Sequence, residues 1–335
     1  DKCICFPPLV NVSRGWMERH TTKKCRLRND EKMIKINIWD TNIAHANSWK
    51  EAGLMCGIRI PDSDLITGPK DTMWIRNQKS HDGITVFTDS HFNRNTINSV
   101  ISPIKIGLIM EPIAHSYQPY SDIQDVEDLL DFIFTFNKQL IDKDPDKYKF
   151  IPADWCCIEA ASHGGNEKSK LVSMLNSTKV GIDRPLRHRV VERYSNKIDT
   201  FGGGTQVDLK SDTLNSYMFS IAMENSIDDF YYTEKIIDCF ITKNVPIYRG
   251  AKNIGDFFDA RGIIQWTNIS ELQDILEGIS PERYQEMLPY INKNYYIAKG
   301  YINPDDVLLR LIQSCNNDNK FNTIKDFRYD KNYKI

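Results

Sequence analysis

The chain has 335 residues, of which 41% are hydrophobic and 26% are charged. This length favours two domains, and the composition excludes both a disordered chain and a bundle of membrane helices. With 43 Lys and Arg residues against 45 Asp and Glu residues, the net charge of −2 argues against a general nucleic-acid-binding protein, which needs a basic excess.

The first half of the chain combines an irregular arm with five strand-sized segments. Residues 1–33 mix cysteine, proline and basic residues without periodicity, and we expect them to form an arm. Short apolar runs, typical of buried parallel strands, then predict strands at 34–39, 71–77, 83–89, 104–110 and 132–136. None of these runs approaches the roughly 18 residues of a membrane-spanning helix. We therefore predict a first domain over residues 34–160.

The second half alternates predicted strands and helices after a polar break at residues 152–169. Strands are predicted at 171–175, 217–223 and 245–248, and helices at 184–194 and 233–242. Ser270 and Gln273 have the spacing of a capping box, and Ser280-Pro281 is typical of a helix start. Such alternation indicates a parallel sheet. We predict a second domain over residues 165–310 and a polar tail over 311–335.

The segment from Tyr217 to Gly250 carries the most informative pattern. A buried strand ends in Glu224-Asn225, and Thr233-Glu234-Lys235 begins the next helix. Ligands of parallel α/β sheets bind beyond the carboxyl ends of strands, where a helix start offers N–H groups and a positive dipole end to phosphate. Lys235 adds a positive charge, and Glu234 can accept bonds from two ribose hydroxyls. The alternative is that Thr233 only caps the helix and that its two charged neighbours are solvated.

This segment resembles the donor-binding motif of the α1,3/α1,4-fucosyltransferases, glycosyltransferase family 10. That family has Phe-Glu-Asn-Ser after a strand, a loop with Tyr, then Thr-Glu-Lys, and a Val-Pro strand that ends at Gly. The chain has these in the same order as Met223-Glu224-Asn225-Ser226, Tyr231, Thr233-Glu234-Lys235 and Val245–Gly250. The resemblance implies that Glu224, Asn225, Tyr231, Thr233, Glu234 and Lys235 bind a sugar nucleotide.

The resemblance continues upstream of that segment. The family has a strand ending in Ser-Asn, an Arg at the start of a helix, and a hydrophobic-Asp-x-x-Gly turn. The chain offers Asn176-Ser177, a basic helix, and the segment 198–202 as the turn. The resemblance implies that Arg187 contacts the donor diphosphate, with Arg184 and Arg189 as neighbouring alternatives.

A shorter match concerns the acid–base residue. The family carries a Glu-Ser-Pro-like motif after a buried strand, and its Glu is the proposed general base. The chain has Met110-Glu111-Pro112 in that position, without the intervening residue. The resemblance implies that Glu111 is the catalytic base. If it is not, Asp89 at the end of an earlier strand and His115 are the next candidates.

Taken together, the resemblance implies an α/β fold of GT-B type, with two doubly wound Rossmann-like domains that face each other across a cleft. It implies an inverting, metal-independent transfer of L-fucose from GDP-fucose to a hydroxyl of a glycan acceptor, with no cofactor and no nucleic-acid partner. Two alternatives stay open: a transferase of the same fold with another donor, and a non-catalytic sugar- or nucleotide-binding protein. A nucleic-acid module built on the basic face of 184–193 is a more distant alternative.

Other patterns are weaker as functional signals. Asp62-Ser63-Asp64 and Asp144-Pro145-Asp146 have the Asp-x-Asp form that metal-dependent sugar transferases use, but both lie in turn-rich stretches. Eight cysteines include no Cys-x-x-Cys pair, which argues against a structural zinc site. His163-Gly164-Gly165 lacks a nucleophile elbow to serve. Because the chain begins at Asp1, we expect a processed piece that is cytoplasmic or soluble, or lies in the Golgi lumen if an N-terminal anchor has been removed.

Overall fold

The computed structural model describes residues 34–40, 72–153, 155–176, 184–203, 207–302 and 307–312. The chain divides into two units, the first formed by residues 1–151 with 303–319 and the second by residues 152–302 with 320–335. Among the helices of the described residues, none has the length and hydrophobicity to cross a membrane. The predicted arm at 1–33, Asp62-Ser63-Asp64 and nearly all of the predicted tail lie outside the described residues.

The first unit is built on a six-stranded parallel sheet with the strand order β2-β1-β3-β4-β5-β6. Its strands are β1 Ile34–Trp39, β2 Thr72–Arg76, β3 Ile84–Thr88, β4 Ile104–Leu108, β5 Phe132–Thr135 and β6 Tyr148–Phe150. Its helices are α1 Arg94–Ser99, α2 Gln118–Val126 and α3 Lys138–Lys143. Every residue of β3 is buried, as expected for a central strand covered on both faces. The core is a cluster that includes Phe87, Ile97, Ile109, Ile123 and Ile133.

The second unit is built on a five-stranded parallel sheet with the strand order β11-β10-β9-β7-β8. Its strands are β7 Lys170–Asn176, β8 Asp199–Gly202, β9 Tyr217–Met223, β10 Val245–Arg249 and β11 Ile264–Gln265. Its helices are α4 Arg184–Tyr194, α5 Glu234–Ile241, α6 Glu271–Gly278 and α7 Pro281–Ala298. The carboxyl ends of β7, β9 and β10 lie at one edge of this sheet, because all three strands run parallel.

The two parallel sheets confirm the predicted α/β class with two Rossmann-like domains. Two local predictions are wrong. The predicted turn at 198–202 is the edge strand β8, whose Phe201 pairs with Leu175 of β7. Gly202 lies there at φ +76°, and a Cβ on it would lie 2.2 Å from the backbone oxygen of Asn176, so only glycine fits.

The second wrong prediction is the capping box at Ser270. Its backbone is already helical, with φ −63° and ψ −31°, and its side chain makes no capping bond. Glu271 instead accepts the backbone N–H groups of Thr267 and Asn268, both at 3.1 Å. Ser280 is extended and caps α7 through the backbone N–H of Arg283 at 3.2 Å. An extended backbone, which Ser280 has and Ser270 lacks, is what lets a side chain reach back to the helix start.

Candidate functional site

Glu224 holds the loop that leads into α5. It directly follows β9 and is fully buried. One carboxylate oxygen accepts the backbone N–H of Thr233 at 3.0 Å, and the other accepts the Thr233 hydroxyl at 2.6 Å. The Tyr248 hydroxyl also donates to Glu224, at 3.4 Å. These protein donors occupy both oxygens, so Glu224 fixes the start of α5 in the structure.

Gly250 allows this close approach. A Cβ on Gly250 would lie 2.3 Å from the Tyr248 hydroxyl oxygen and 2.4 Å from Cγ of Glu224, both far inside van der Waals contact. The residue that follows β10 must therefore be glycine for Glu224 and Tyr248 to meet beside it. This explains in physical terms why the Val-Pro strand is followed directly by glycine.

Lys235 lies in the first turn of α5 among three oxygens. Its Nζ is 2.9 Å from the hydroxyl of Thr233, 3.2 Å from Glu234 and 3.5 Å from Glu224. Burial alone would lower the pKa of Lys235, but the carboxylates of Glu234 and Glu224 raise it above its ordinary value. The lysine is therefore charged at neutral pH, and its side chain is one-fifth exposed. It places a positive charge at the N-terminus of α5.

Lys210 is a site residue that the sequence did not reveal. Its Nζ lies 3.4 Å from Glu234 and 2.6 Å from Asp238, a fully buried carboxylate one turn further along α5. Glu234 is thus held between Lys210 and Lys235. Burial would lower the pKa of Lys210, but Asp238 and Glu234 raise it well above its ordinary value. Burial raises the pKa of Asp238 to about 6, although Lys210 opposes this shift.

In the sequence, Asp238 is the residue that could have indicated the contacts of Lys210 with α5. It interrupts an apolar run of α5 between Ile237 and Cys239, and a buried carboxylate needs a partner. The backbone N–H of Cys157 donates to its second oxygen at 2.7 Å. Lys210, by contrast, lies in a short 3₁₀ turn, Lys210–Thr213, that carries no recognisable motif.

Arg187 and Asn225 meet at the carboxyl end of β9. Arg187 Nη2 donates to the side-chain oxygen of Asn225 at 3.0 Å and to the backbone oxygen of Met223. Arg187 is half-buried, whereas Arg189 on the same helix is exposed. The structure therefore favours Arg187 over Arg189 as the arginine of this site. Both partners of Arg187 are neutral oxygens, whereas the two lysines face carboxylates.

Four of these charged groups border a small cavity at the carboxyl edge of the second sheet. Its volume is about 100 Å³, and its polar wall is formed by Arg187, Lys210, Glu234 and Lys235. Strand residues such as Met174 and Met223 also line it. Among the described residues, the site holds three cations, which are Arg187 and the two lysines, and three carboxylates, which are Glu224, Glu234 and Asp238. These six groups balance in charge.

Tyr231 lies in the loop between β9 and α5 and is only 2% exposed. Its neighbour Phe230 has a left-handed backbone with φ +72°, which costs energy for a bulky residue. Asn253 accepts the Phe230 N–H at 3.0 Å, and Phe257 packs edge-on against its ring. Tyr231 is therefore part of a strained loop that its surroundings hold in place.

Glu111 belongs to the first unit, where it follows β4. The hydroxyl of Tyr120 donates to its backbone oxygen at 2.8 Å. The next residue, Pro112, begins a turn in which its carbonyl accepts the N–H groups of His115 and Ser116 at 2.8 and 3.0 Å. His115 itself is exposed. Asp89 lies close by, because its side chain accepts the N–H of Met110 at 3.2 Å.

The described residues include no group of three or more His, Cys, Asp or Glu side chains that could hold a metal ion. Asp144 forms a local turn, in which its side chain accepts the N–H groups of Asp146 at 3.1 Å and Lys147 at 3.0 Å. His163 contacts the backbone oxygen of Ile158 at 2.9 Å, and burial lowers its pKa. Both segments therefore have local structural roles.

Residues 166–326 match the family model described as glycosyltransferase family 10 (fucosyltransferase) C-term. The α-(1,3)-fucosyltransferase FucT of Helicobacter pylori is 27% identical over 131 residues, which are 37% of this chain and 26% of that protein. An α-(1,4)-fucosyltransferase of Arabidopsis thaliana is 31% identical over 78 residues, which are 22% of this chain and 20% of that protein. The chain thus spans about a quarter or less of the length of these curated relatives.

Solved structures match over most of the chain. A crystal structure of an α1,3-fucosyltransferase with GDP has a TM-score of 0.52 at 14% identity, covering 88% of this chain and 94% of that one. A crystal structure of an α1,3-fucosyltransferase with GDP-fucose has a TM-score of 0.51 at 14% identity, covering 90% and 96%. At such identity the likeness shows the fold, and it confirms the predicted GT-B class.

Proposed function

Since residues 166–326 match the model of glycosyltransferase family 10, we propose that this chain is an inverting fucosyltransferase that moves L-fucose from GDP-fucose to a hydroxyl of a glycan acceptor. The observation that carries the proposal is the group of Arg187, Glu234 and Lys235 around one cavity where α5 begins. This group combines the two chemistries that a nucleoside diphosphate requires. Cations and helix N–H groups suit the phosphates, and a fixed carboxylate suits the ribose.

In the proposed donor complex, the diphosphate lies near Lys235, Arg187 and the first turn of α5. Glu234, which is held between Lys210 and Lys235 at 3.4 and 3.2 Å, accepts bonds from the ribose hydroxyls. Negative charge develops on the diphosphate as the bond to the sugar breaks. Fixed cations at that place stabilise the transition state more than the ground state. These protein groups supply the positive charge that a divalent ion supplies in metal-dependent transferases.

Glu111 is proposed as the general base. As the acceptor hydroxyl oxygen forms its bond to the anomeric carbon of fucose, Glu111 takes the hydroxyl proton. The bond from that carbon to the phosphate oxygen breaks on the opposite face, and its electron pair leaves with GDP. A single displacement of this kind inverts the anomeric centre. The support for this role is the position of Glu111 after β4, where Tyr120 fixes its backbone.

A donor screen tests the proposal. The purified chain is incubated with a panel of GDP- and UDP-sugars, with and without oligosaccharide acceptors, and release of the nucleoside diphosphate is measured. We expect turnover of GDP-fucose, and we expect a suitable acceptor to increase the rate of nucleotide release. Turnover with a different sugar nucleotide but not with GDP-fucose indicates a different donor. Nucleotide binding without any turnover indicates a non-catalytic binding protein.

Glu111→Gln sharpens this test. The variant keeps the shape of the side chain and removes its ability to take a proton, so turnover should fall about 10²- to 10⁴-fold while GDP affinity stays the same. Glu167→Gln, at an exposed glutamate of the second unit, is the control and should keep full activity. Turnover of the Glu111 variant within a few-fold of the wild type would exclude Glu111 as the base.

A further inference from the structure

Two carboxyl groups come together at the carboxyl edge of the first sheet. Asp89 follows β3 and begins the 3₁₀ turn Asp89–His91, and Glu111 follows β4. The two strands are parallel neighbours, with Thr88 of β3 paired to Leu108 of β4. Their carboxyl ends therefore lie side by side, so residues 22 positions apart in the sequence become neighbours in space.

Asp89 is buried and bonded to the segment that carries Glu111. The residue is 8% exposed, and one of its side-chain oxygens accepts the backbone N–H of Met110 at 3.2 Å. Burial raises the pKa of Asp89 to about 7, and the charge of Glu111 adds to this shift, while the Met110 N–H opposes it. Asp89 therefore changes its charge near neutral pH, next to the proposed base.

The other charged and titratable groups near this edge come from several elements. They are His91 on the same turn, Asp40 directly after β1, Arg76 at the end of β2, and Asp122 and Asp125 on α2. Asp40 forms an ion pair with Arg76, and Asp122 accepts a bond from Gln118 at 2.5 Å. Burial lowers the pKa of His91, although Asp40 opposes this. Among the described residues, Glu111 is the one whose charge raises the pKa of Asp89.

We propose that Asp89 is a positioning residue for the proposed base, since its carboxylate holds the Met110 N–H and thereby fixes the backbone that carries Glu111. This inference rests on the proposed function, because Glu111 acts as a base only if the chain transfers a sugar. An ionised carboxylate accepts a hydrogen bond about twice as strongly as a neutral group. The position of Glu111 should therefore be fixed best when Asp89 is ionised, and the transfer rate should follow that ionisation.

The test is the pH profile of Asp89→Asn, which keeps a side-chain oxygen for Met110 but no charge. In the wild type, kcat should rise with pH through a midpoint near 7, where Asp89 ionises. In the variant this rise should disappear, and kcat at pH 8 should be about tenfold lower, as expected for losing the charge from one hydrogen bond. KM for GDP-fucose should not change, because the donor site lies in the second unit. Asp82→Asn, at a fully exposed side chain before β3, is the control and should match the wild type.

The outcomes separate a positioning role from a purely structural one. A variant that is slower or less stable but keeps the wild-type rise near pH 7 overturns the proposal. A rise that vanishes only in Asp89→Asn supports it. The shape of the profile makes this distinction, because a purely structural loss would lower kcat by the same factor at every pH.

A second measurement does not depend on activity. In protein labelled with ¹⁵N at its nine methionines, the amide resonance of Met110 is assigned with Met110→Leu and followed across pH. It should titrate near pH 7 in the wild type and stay constant in Asp89→Asn. If no sugar nucleotide is turned over but this titration is seen, the proposed function fails and the Asp89 contact stands. If Met110 does not titrate in the wild type, the positioning role is overturned.

Discussion

The carboxylate of Glu224 accepts both the backbone N–H and the hydroxyl of Thr233, at 3.0 and 2.6 Å. One buried side chain at the end of β9 thus determines where α5 begins. Thr233 is extended and caps the helix through the N–H of Lys235, at 3.5 Å. The position of Lys235, which faces the cavity, therefore depends on Glu224, nine residues before Thr233 in the chain.

Glu224→Gln should destabilise the second unit by about 2–3 kcal/mol. An amide offers one acceptor oxygen in place of two, so it leaves a buried donor of Thr233 without a partner. The free energy of unfolding in urea measures the loss. Glu286→Gln, at a side chain that is 65% exposed, should stay within about 0.5 kcal/mol of the wild type. Equal stability of the two variants would contradict the role given to Glu224.

Lys235→Met and Arg187→Ala should each weaken GDP binding by about 1.5–3 kcal/mol, because each removes a charge-assisted contact of the proposed diphosphate site. Calorimetry with GDP on the folded variants measures the change. Arg189→Ala removes an exposed arginine from the same helix and should leave affinity unchanged. If neither Lys235→Met nor Arg187→Ala changes affinity, the donor site has been placed wrongly.

Gly250→Ala should lower stability by about 1–3 kcal/mol, the usual cost of overfilling a packed site. The new methyl group would lie 2.3 Å from the Tyr248 hydroxyl oxygen and 2.4 Å from Glu224. Gly278→Ala provides the matched control, since a Cβ at that position meets nothing within 4 Å. The control should be neutral or slightly stabilising. Thermal unfolding of both variants gives the comparison, and a Gly250 variant as stable as the Gly278 variant would refute the close contact.

Activity should persist in excess EDTA. The proposed diphosphate site holds Arg187 and two lysines, and Asp144 of the second Asp-x-Asp pattern accepts two backbone N–H groups of its own turn. Nucleotide release is measured before and after chelation. Asp144→Ala is assayed in parallel and should keep its activity. A complete loss of activity that Mn²⁺ restores would show a metal-dependent reaction.

The stability of the chain should fall between about pH 4 and pH 7 through Asp89. Burial raises the pKa of Asp89 to about 7 in the folded state, above its ordinary value of 3.8. The folded state therefore binds more protons in this range. The stabilisation is complete below the unfolded value and is lost as pH rises through about 7. Asp89→Asn should remove the contribution of Asp89, so the slope of melting temperature across pH 5–8 should become smaller, while Asp238, with its pKa raised to about 6, keeps its own contribution. A slope that the variant retains must come from other groups.

The sequence predicted the regular elements best where apolar runs were long and bounded. Strand β9 and helix α4 have the predicted bounds, because a continuous buried strand and a helix without internal Gly are unambiguous locally. Strand β8 was mistaken for a turn because it has only four residues, half of them exposed, and exists through its pairing with β7. Such a strand depends on its neighbour more than on its own composition.

Of the candidate site, the sequence predicted the part carried by one continuous segment. Glu224, Thr233 and Lys235 lie within one strand–loop–helix unit, so their proximity follows from chain order. Lys210 could not be found in this way. It lies in a turn without any motif, 24 positions before Glu234 in the sequence. The closeness of Asp89 to the Met110-Glu111 segment likewise required knowing that β3 and β4 are adjacent strands.

Among the described residues, the pairing of the site's lysines with carboxylates has a consequence for the release of GDP in the proposed reaction. A pocket lined only by positive groups would hold GDP firmly, because the departure of GDP would leave those positive groups facing one another. Here, Lys235 lies 3.2 Å from Glu234, and Lys210 lies 2.6 Å from Asp238. When GDP leaves in the proposed reaction, both lysines already have these carboxylates as partners within the protein. We therefore expect nucleotide release to be fast, and the emptied pocket to keep its shape for the next donor molecule.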